Sequence, residues 1–231
     1  MQATPLPRRT GLVVAIDQQD AARAAAVARE VAPFSDALKV GYPTALAAGL
    51  QIVGRLRDAS GLPIICDFKI ADIPPVSGAI ARLAIGAGAA AVICHAFAGR
   101  DSVAAVAAAC AEQGAMPIAV VEMSHEGGRE FTGLHAEQLL NAAIAGGARG
   151  IVAPATRPER IAALRARAPG VPVFSPGAGA QGGSPKEAAR AGADFVIVGR
   201  SVVEARDPAR AAAECAATIA EGARSRLAAP P

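Results

Sequence analysis

The sequence predicts an α/β protein with the (β/α)8 TIM-barrel fold, formed by a single domain. The chain has 231 residues, close to the roughly 250 that one such barrel needs. Eight short apolar runs recur along it at even spacing, with helical stretches between them. No break in composition and no long linker divides the chain, so we expect residues 1–231 to form one domain.

The apolar runs have the pattern of parallel strands that are covered on both faces. They are continuous rather than alternating in polarity, as such strands require. The predicted strands are Leu12–Ile16, Ala37–Val40, Pro63–Phe68, Ala89–Cys94, Pro117–Val121, Gly150–Ala153, Val171–Phe174 and Phe195–Val198.

Two of the helices between these strands carry recognisable start signals. Pro74-Pro75 opens the third helix, because proline is favoured at the first helical position. Ser184 precedes the seventh helix and has Glu187 three residues on, which is a capping pattern. An open doubly wound sheet is the alternative fold, but it does not require the even spacing of all eight units. Predicted helices include Ala21–Val31, Ser102–Gln113, Ala136–Ala145, Arg157–Arg167 and Pro208–Ala223.

Composition limits the class of function. Apolar residues make up 52% of the chain and aromatic residues 3%, so the core must consist of small aliphatic side chains. The net charge is +3, without a Lys/Arg run or the aromatics that stack on bases, so we expect no nucleic-acid surface. The uncharged stretch Leu83–Gly99 is predicted to be a helix end, a turn and a buried strand rather than a membrane span.

The cysteines, the histidines and the chain ends give further expectations. No cysteine lies in a C-x-x-C pair, which indicates reduced, buried thiols in a cytoplasmic protein. The three histidines lack ligand spacing, so we expect neither a metal nor a cofactor. Residues 1–10, polar and with two prolines, and residues 228–231 are expected to be frayed.

Polar residues follow most of the predicted strands, where barrel enzymes place their chemistry. The most informative segment is Asp67-x-Lys69-x-x-Asp72. Side chains alternate along a strand, so Asp67 and Lys69 project to the same side. Asp72 lies beyond the strand and can point away from its own barrel. A single Asp–Lys pair would indicate a structural salt bridge, but Asp17 and Lys39 are predicted to lie at the same rim, and so many charges favour a functional cluster.

The loop after the seventh strand is rich in glycine. Residues 175–183 contain a G-x-G-x-x-G match from Gly177 to Gly182, but its position in the seventh unit argues against a dinucleotide site. A phosphate site with backbone N–H donors is favoured instead, because loops after strands 7 and 8 of barrels commonly bind phosphate. Gly199 and Arg200 follow the eighth strand, and the Arg200 guanidinium can bind a phosphate. A surface ion pair is the alternative role for Arg200.

Together these segments resemble the orotidine 5'-phosphate decarboxylase family in its short microbial and archaeal-like form. The resemblance extends from Leu12 to Arg200 and depends most on the D-x-K-x-x-D-I-P motif at Asp67–Pro74. It is supported by Met123-Ser124-His125, Thr156-Arg157-Pro158-Glu159-Arg160, Ser175-Pro176-Gly177, Gln181-Gly182-Gly183 and Val198-Gly199-Arg200-Ser201.

The resemblance implies cofactor-independent decarboxylation of orotidine 5'-monophosphate to UMP, a step of de novo pyrimidine biosynthesis. Lys69 would stabilise the carbanion-like charge at C6 of the pyrimidine and protonate that carbon. Asp67 would lie beside the departing carboxylate, with Lys39 orienting it. Asp72 would complete the site of the other subunit in a homodimer.

The resemblance also implies a set of substrate contacts around the rim. Asp17 and Lys39 would bind ribose hydroxyls, and Ser124 would contact the pyrimidine ring. Gln181 would bridge ring and phosphate, and Arg200 would bind the phosphate. Further implied substrate-binding positions are Ile73, Pro176 and Gly199.

Two departures from the family pattern and two alternative functions remain. Val76 stands where relatives often have Thr, and Ala replaces Gly and Pro within His95–Gly99. One alternative is a Mg2+-dependent sugar-phosphate decarboxylase or aldolase of the same suprafamily, which resembles this chain in the D-x-K-x-x-D motif but has a Glu where this chain has Lys39. The other is a non-catalytic phosphate-ligand-binding barrel, against which the intact Asp67, Lys69 and Asp72 argue.

Overall fold

A computed structural model describes residues 6–228, except for the side chain of Ala228. Eight parallel strands pair in chain order, and β1 also pairs with β8, which closes the barrel and confirms the predicted TIM-barrel fold. The strands are β1 Leu12–Ile16, β2 Ala37–Gly41, β3 Ile64–Ile70, β4 Ala91–His95, β5 Met116–Val120, β6 Gly150–Val152, β7 Val173–Ala178 and β8 Phe195–Val198.

Helices cover the outside of this barrel. Both predicted start signals are confirmed: α4 begins at Pro74, and the Ser184 hydroxyl caps α8 by accepting the Glu187 N–H at 3.3 Å. The helices are α1 Ala21–Val31, α2 Tyr42–Ala48, α3 Ile52–Ser60, α4 Pro74–Gly86, α5 Arg100–Glu112, α6 Ala136–Ala145, α7 Pro158–Arg167, α8 Pro185–Ala191, α9 Arg200–Val203 and α10 Pro208–Ala228.

The bounds of the elements differ from the predicted ones by a few residues at several places. β3 continues to Ile70 and α10 to Ala228, both beyond the predicted ends. The uncharged stretch Leu83–Gly99 contains the end of α4, a turn and β4, as predicted. Within the part of the chain that is described, no helix combines the length and apolar character needed to cross a membrane.

The core has two layers, one inside the barrel and one between strands and helices. Alternate strand residues fill the interior, so the barrel is a packed core rather than a pore. Phe174 and Phe195 stack there with ring centroids 4.7 Å apart. A side chain at Gly150 would come within 2.8 Å of the Phe174 ring, so the glycine makes room for this pair.

Residues 6–10 are not frayed, in contrast to the expectation for residues 1–10. Leu6 is buried against the interior layer of the barrel. The buried Asp36 carboxylate accepts the backbone N–H groups of Arg9, Thr10 and Gly11 at 2.7–3.1 Å. These hydrogen bonds join the segment to the start of β2. Residues 1–5 and 229–231 lie outside the described residues.

Candidate active site

The C-terminal ends of the strands surround a cavity of about 830 Å³. Nine of the predicted site residues line it, and two, Asp72 and Ile73, do not. The predicted charged cluster and the predicted phosphate site therefore open into one cavity of the same barrel. The nine are Asp17, Lys39, Asp67, Lys69, Ser124, Pro176, Gln181, Gly199 and Arg200.

A chain of alternating charges crosses one side of this cavity. Lys69 Nζ lies 2.9 Å from both carboxylate oxygens of Asp67, and Lys39 Nζ lies 3.1 Å from Asp67 Oδ2. Lys39 Nζ is also 3.7 Å from Asp17 Oδ1. Burial alone would raise the pKa of Asp67, but Lys39 and then Lys69 bring this pKa below its usual value. Asp67 is therefore an anion at neutral pH, buried between two ammonium groups.

The backbone at Lys69 is strained. Its φ is 41°, which makes it the one non-glycine residue with positive φ among residues 6–228. The pairing of β3 with β4 also shifts register between Cys66 and Ile70. Asp67 and Lys69 do meet, as predicted, but through this irregularity rather than by simple alternation along a regular strand. A left-handed conformation costs roughly 1–2 kcal/mol for a residue with a side chain, and such strain is concentrated at functional sites.

Asp72 and Ile73 are exposed and lie between β3 and α4. The Asp72 backbone carbonyl accepts hydrogen bonds from the hydroxyls of Ser77 at 2.8 Å and Ser102 at 2.6 Å. Its carboxylate accepts the N–H of Ile73 at 2.7 Å. These contacts fix the position of Asp72 outside the cavity of its own barrel. The sequence analysis had allowed for such a position, because Asp72 lies beyond the end of the strand.

The Gly-rich loop forms the opposite side of the cavity and contacts the end of β5. A side chain at Gly177 would lie 2.9 Å from Ser124 Cβ, and Gly177 has a φ of 96°. Glycine is therefore required where the two loops meet. The Ser124 hydroxyl donates to Gln181 Oε1 at 2.9 Å, joining the loops a second time.

Three of the backbone N–H groups in the predicted phosphate-binding loop are engaged within the loop itself. The N–H groups of Gly179, Gly182 and Gly183 donate to carbonyls within the loop at 2.7–3.0 Å, so they stabilise its turns instead of facing a ligand. Arg200 is exposed at the mouth of the cavity. No ion pair or hydrogen bond of its side chain occurs within residues 6–228, so its guanidinium is available to an anion. A side chain at Gly199 would make only ordinary contact with the protein, so this glycine leaves room for a ligand.

One buried network was missed by the sequence analysis. The Glu122 carboxylate, after β5, pairs with Arg157 Nε at 3.1 Å and with Arg160 Nε at 2.8 Å. The Thr156 hydroxyl donates to the Ser124 carbonyl at 2.9 Å. The segment 156–160 was recognised only as part of the resemblance, because the sequence gives no sign of a contact between residues 35 positions apart.

His95, at the end of β4, is buried beside the charged cluster. Burial and then the nearby Lys69 lower its pKa to about 4. Its Nδ1 atom has no hydrogen-bond partner within residues 6–228, and its ring packs 4.5 Å from that of Phe97. His95 is therefore neutral at pH 7.

All four cysteines are free. Three of them, Cys66, Cys94 and Cys110, are buried, as predicted, and Cys215 is half-buried. Burial raises the pKa of each of these three thiols to about 12, so they are protonated and unreactive at neutral pH. Within residues 6–228, no three His, Cys, Asp or Glu side chains come together as a possible metal site.

The closed barrel with its buried acid–amine cluster defines a class, a (β/α)8-barrel enzyme for a small phosphorylated ligand. Arg200, unpaired within the described part of the chain, lies beside the Gly-rich loop and agrees with this class. The comparison with known proteins is more specific. The model of the "Orotidine 5'-phosphate decarboxylase / HUMPS family" matches residues 10–215. The chain belongs to this family, which confirms the resemblance found in the sequence.

Similar proteins agree with this assignment over nearly their full length. The chain is 44% identical to orotidine 5'-phosphate decarboxylase of Methanococcoides burtonii, over 90% of this chain and 96% of that one. It is 44% identical to the enzyme of Pyrococcus horikoshii over 87% and 95%. Its structure is similar to that of orotidine 5'-monophosphate decarboxylase from Methanocaldococcus jannaschii complexed with the inhibitor BMP, with a TM-score of 0.86, 35% identity and coverage of 93% and 99%.

Proposed function

We propose that this protein decarboxylates orotidine 5'-monophosphate to UMP and CO2 in de novo pyrimidine biosynthesis. One observation carries the proposal: the Lys69–Asp67 pair lines the same cavity as Arg200, which has no side-chain partner among the described residues. A nucleotide anchored by its phosphate at Arg200 can thus reach the ammonium group with its base. Family membership supports the same reaction.

In this proposal Lys69 supplies the chemistry at the reacting carbon. The bond between C6 and the carboxylate breaks, CO2 leaves, and the electron pair stays on C6. The Lys69 ammonium stabilises that charge and then transfers a proton to C6, forming the new C–H bond. Asp67 holds the ammonium in place through both of its oxygens, and Lys39 orients Asp67. The mechanism assigns no step to a cofactor.

The remaining site residues hold the nucleotide. Asp17 and Lys39 bind the ribose hydroxyls, and Ser124 contacts the pyrimidine ring. Gln181, already hydrogen-bonded to Ser124, bridges ring and phosphate. Pro176, Gly199 and Arg200 complete the cavity, with Arg200 on the phosphate. Binding energy from this remote group can support catalysis at C6.

We propose that the active unit is a homodimer in which Asp72 completes the site of the neighbouring subunit. Asp72 is fixed outside its own cavity, beside an exposed apolar surface formed by Tyr42, Ile73, Val76 and Phe97. These residues follow β2, β3 and β4, which are adjacent in the barrel. Exposed apolar surfaces of this kind mark protein interfaces. Ile73 would contact the substrate of the neighbour, and Val76 would lack the hydroxyl that relatives often present there.

The four unpaired cysteines support a cytoplasmic location as a further part of the proposal.

An ultraviolet assay of orotidine 5'-monophosphate turnover tests the function directly. We expect turnover that survives exhaustive chelation. A loss on chelation that Mg2+ restores would favour the sugar-phosphate alternative, and binding of UMP without any turnover would favour a non-catalytic barrel.

Lys69→Ala should abolish this turnover and leave UMP affinity within a few-fold of wild type, because the ammonium acts on the reacting carbon. A titration of UMP shows whether the cavity remains intact. Near-normal turnover by Lys69→Ala would refute the assigned role.

A further inference from the structure

The connection between β5 and α6 forms the part of the cavity wall next to the Gly-rich loop. Ser124, at its start, is hydrogen-bonded to Gln181 of that loop at 2.9 Å. Arg129, five residues further on, lines the same cavity. Arg129 thus lines the same cavity as Arg200, on the connection that contacts the Gly-rich loop.

The backbone before Arg129 is fixed against the end of β5. Gly128 is buried, and a side chain there would lie 2.7 Å from the Met123 carbonyl oxygen. The Thr132 hydroxyl accepts the Met123 N–H at 3.1 Å and donates to the Gly128 carbonyl at 2.8 Å. These contacts hold the Arg129 backbone at the cavity mouth, while its side chain is 58% exposed.

Most other cations of the cavity pair with a buried carboxylate, whereas Arg129 pairs with an exposed one. Lys39 and Lys69 are paired with the largely buried Asp67, and Arg157 is paired with the buried Glu122. Among residues 6–228, Arg129 pairs only with Glu126, at 3.5 Å, on an exposed 3-10 turn. An exposed pair of this kind contributes little and exchanges readily for a better anion.

We propose that Arg129 leaves Glu126 and binds the phosphate of the nucleotide together with Arg200. A phosphate dianion carries two charges, and three N–H groups of the Gly-rich loop are already used within the loop. Two guanidinium groups match that charge with strong, charge-assisted hydrogen bonds. This inference rests on the proposed function and adds a phosphate-binding residue to the site.

The test compares UMP with uridine, which lacks the phosphate, in equilibrium titrations of Arg129→Gln at 0.15 M salt. We expect UMP to bind about tenfold more weakly than to wild type, the range of a hydrogen bond between charged groups. Uridine should bind within twofold of wild type. Arg129→Lys, which keeps the charge, should recover part of the UMP affinity and shows the effect even if the glutamine perturbs the loop.

Arg190→Gln is the matched control. Arg190 is also 58% exposed and forms an i,i+3 pair, with Glu187, but it lies near the C-terminal end of α8, away from the cavity. Unchanged UMP affinity in Arg129→Gln would overturn the inference. So would an equal loss for UMP and uridine, or an equal loss of UMP affinity in Arg190→Gln. Failure of the wild type to turn over orotidine 5'-monophosphate would instead refute the proposed function, because these titrations require no turnover.

Discussion

Individual residues of the cluster have ionisation states set by their neighbours. Asp67 would be raised in pKa by burial alone, yet Lys39 and Lys69 keep its pKa below the usual value. His95, buried beside the same cluster, has its pKa lowered to about 4 by burial and then by Lys69, against a smaller opposing effect of Asp67, so its neutral form is favoured. One site therefore holds an anion and a neutral imidazole side by side at pH 7.

The pH dependence of stability should report the state of His95. Its folded pKa of about 4 lies below the unfolded value of about 6.5, so the unfolded chain binds the extra proton first. The free energy of unfolding should therefore fall as the pH decreases from about 6.5 to about 4, by up to about 3 kcal/mol.

Chemical unfolding of wild type and His95→Gln at pH 7 and pH 4.5 measures this contribution. The difference in unfolding free energy between the two pH values should be smaller for His95→Gln. His135→Gln, at an exposed position, is the control and should behave as wild type. Parallel pH profiles for wild type and His95→Gln would contradict the assignment.

At the scale of elements, the site depends on how the ends of β5 and β7 meet. Gly177 lies against Ser124, and the Ser124–Gln181 hydrogen bond and the Thr156–Ser124 hydrogen bond lock the same contact. The segment that contains Thr156 is held by a second interaction. The buried Glu122 carboxylate, which follows β5, pairs with both Arg157 and Arg160. Removing one partner of such a network is expensive because it leaves a buried charge.

Gly177→Ala should raise KM for orotidine 5'-monophosphate by tenfold or more. The new methyl group would lie 2.9 Å from Ser124 Cβ and force the two loops apart. Gly170→Ala is the matched control, since Gly170 also has positive φ, 86° against 96°, but a side chain there meets no atom within 4 Å. Both variants should lose about 1 kcal/mol in free energy of unfolding from backbone strain. Equal KM values for the two variants in steady-state kinetics would contradict the role of the Gly177–Ser124 contact.

At the scale of the whole molecule, the N-terminal segment closes the barrel at the end opposite the cavity. Leu6 packs against the interior layer, and Asp36 binds the backbone that follows it. Leu6→Ala should lower the free energy of unfolding by about 2–5 kcal/mol, the cost of truncating a buried leucine. Leu46→Ala, at an exposed position on α2, should change it little. A comparable small loss for both variants in denaturant unfolding would show that Leu6 does not seal the core.

The proposed homodimer predicts complementation between two inactive proteins. Asp72→Asn and Lys69→Ala should each lose turnover, because each removes a residue of every site. When mixed, subunits exchange, and one site of each hybrid dimer contains both native residues. Turnover should then recover to at most about a quarter of the wild-type rate per site, given random exchange of equal amounts. Proven exchange without recovery would exclude a shared site.

The sequence by itself determined the barrel and indicated which charged residues lie at its strand ends. Strand periodicity, proline and capping signals act over a few neighbouring residues, so the eight units could be read directly. Asp67, Lys69 and Asp72 lie within six positions, and their positions at a strand end follow from the fold class. The family motifs then indicated the chemistry.

Only the tertiary structure decided how distant segments meet. The left-handed backbone at Lys69, the burial of His95, the Glu122–Arg157 pair and the docking of Leu6 were not predicted. Each depends on distances between chain segments that become fixed when the barrel closes and its core packs. Local sequence patterns carry no record of those distances, which is why the parts of the site were predictable and their exact contacts were not.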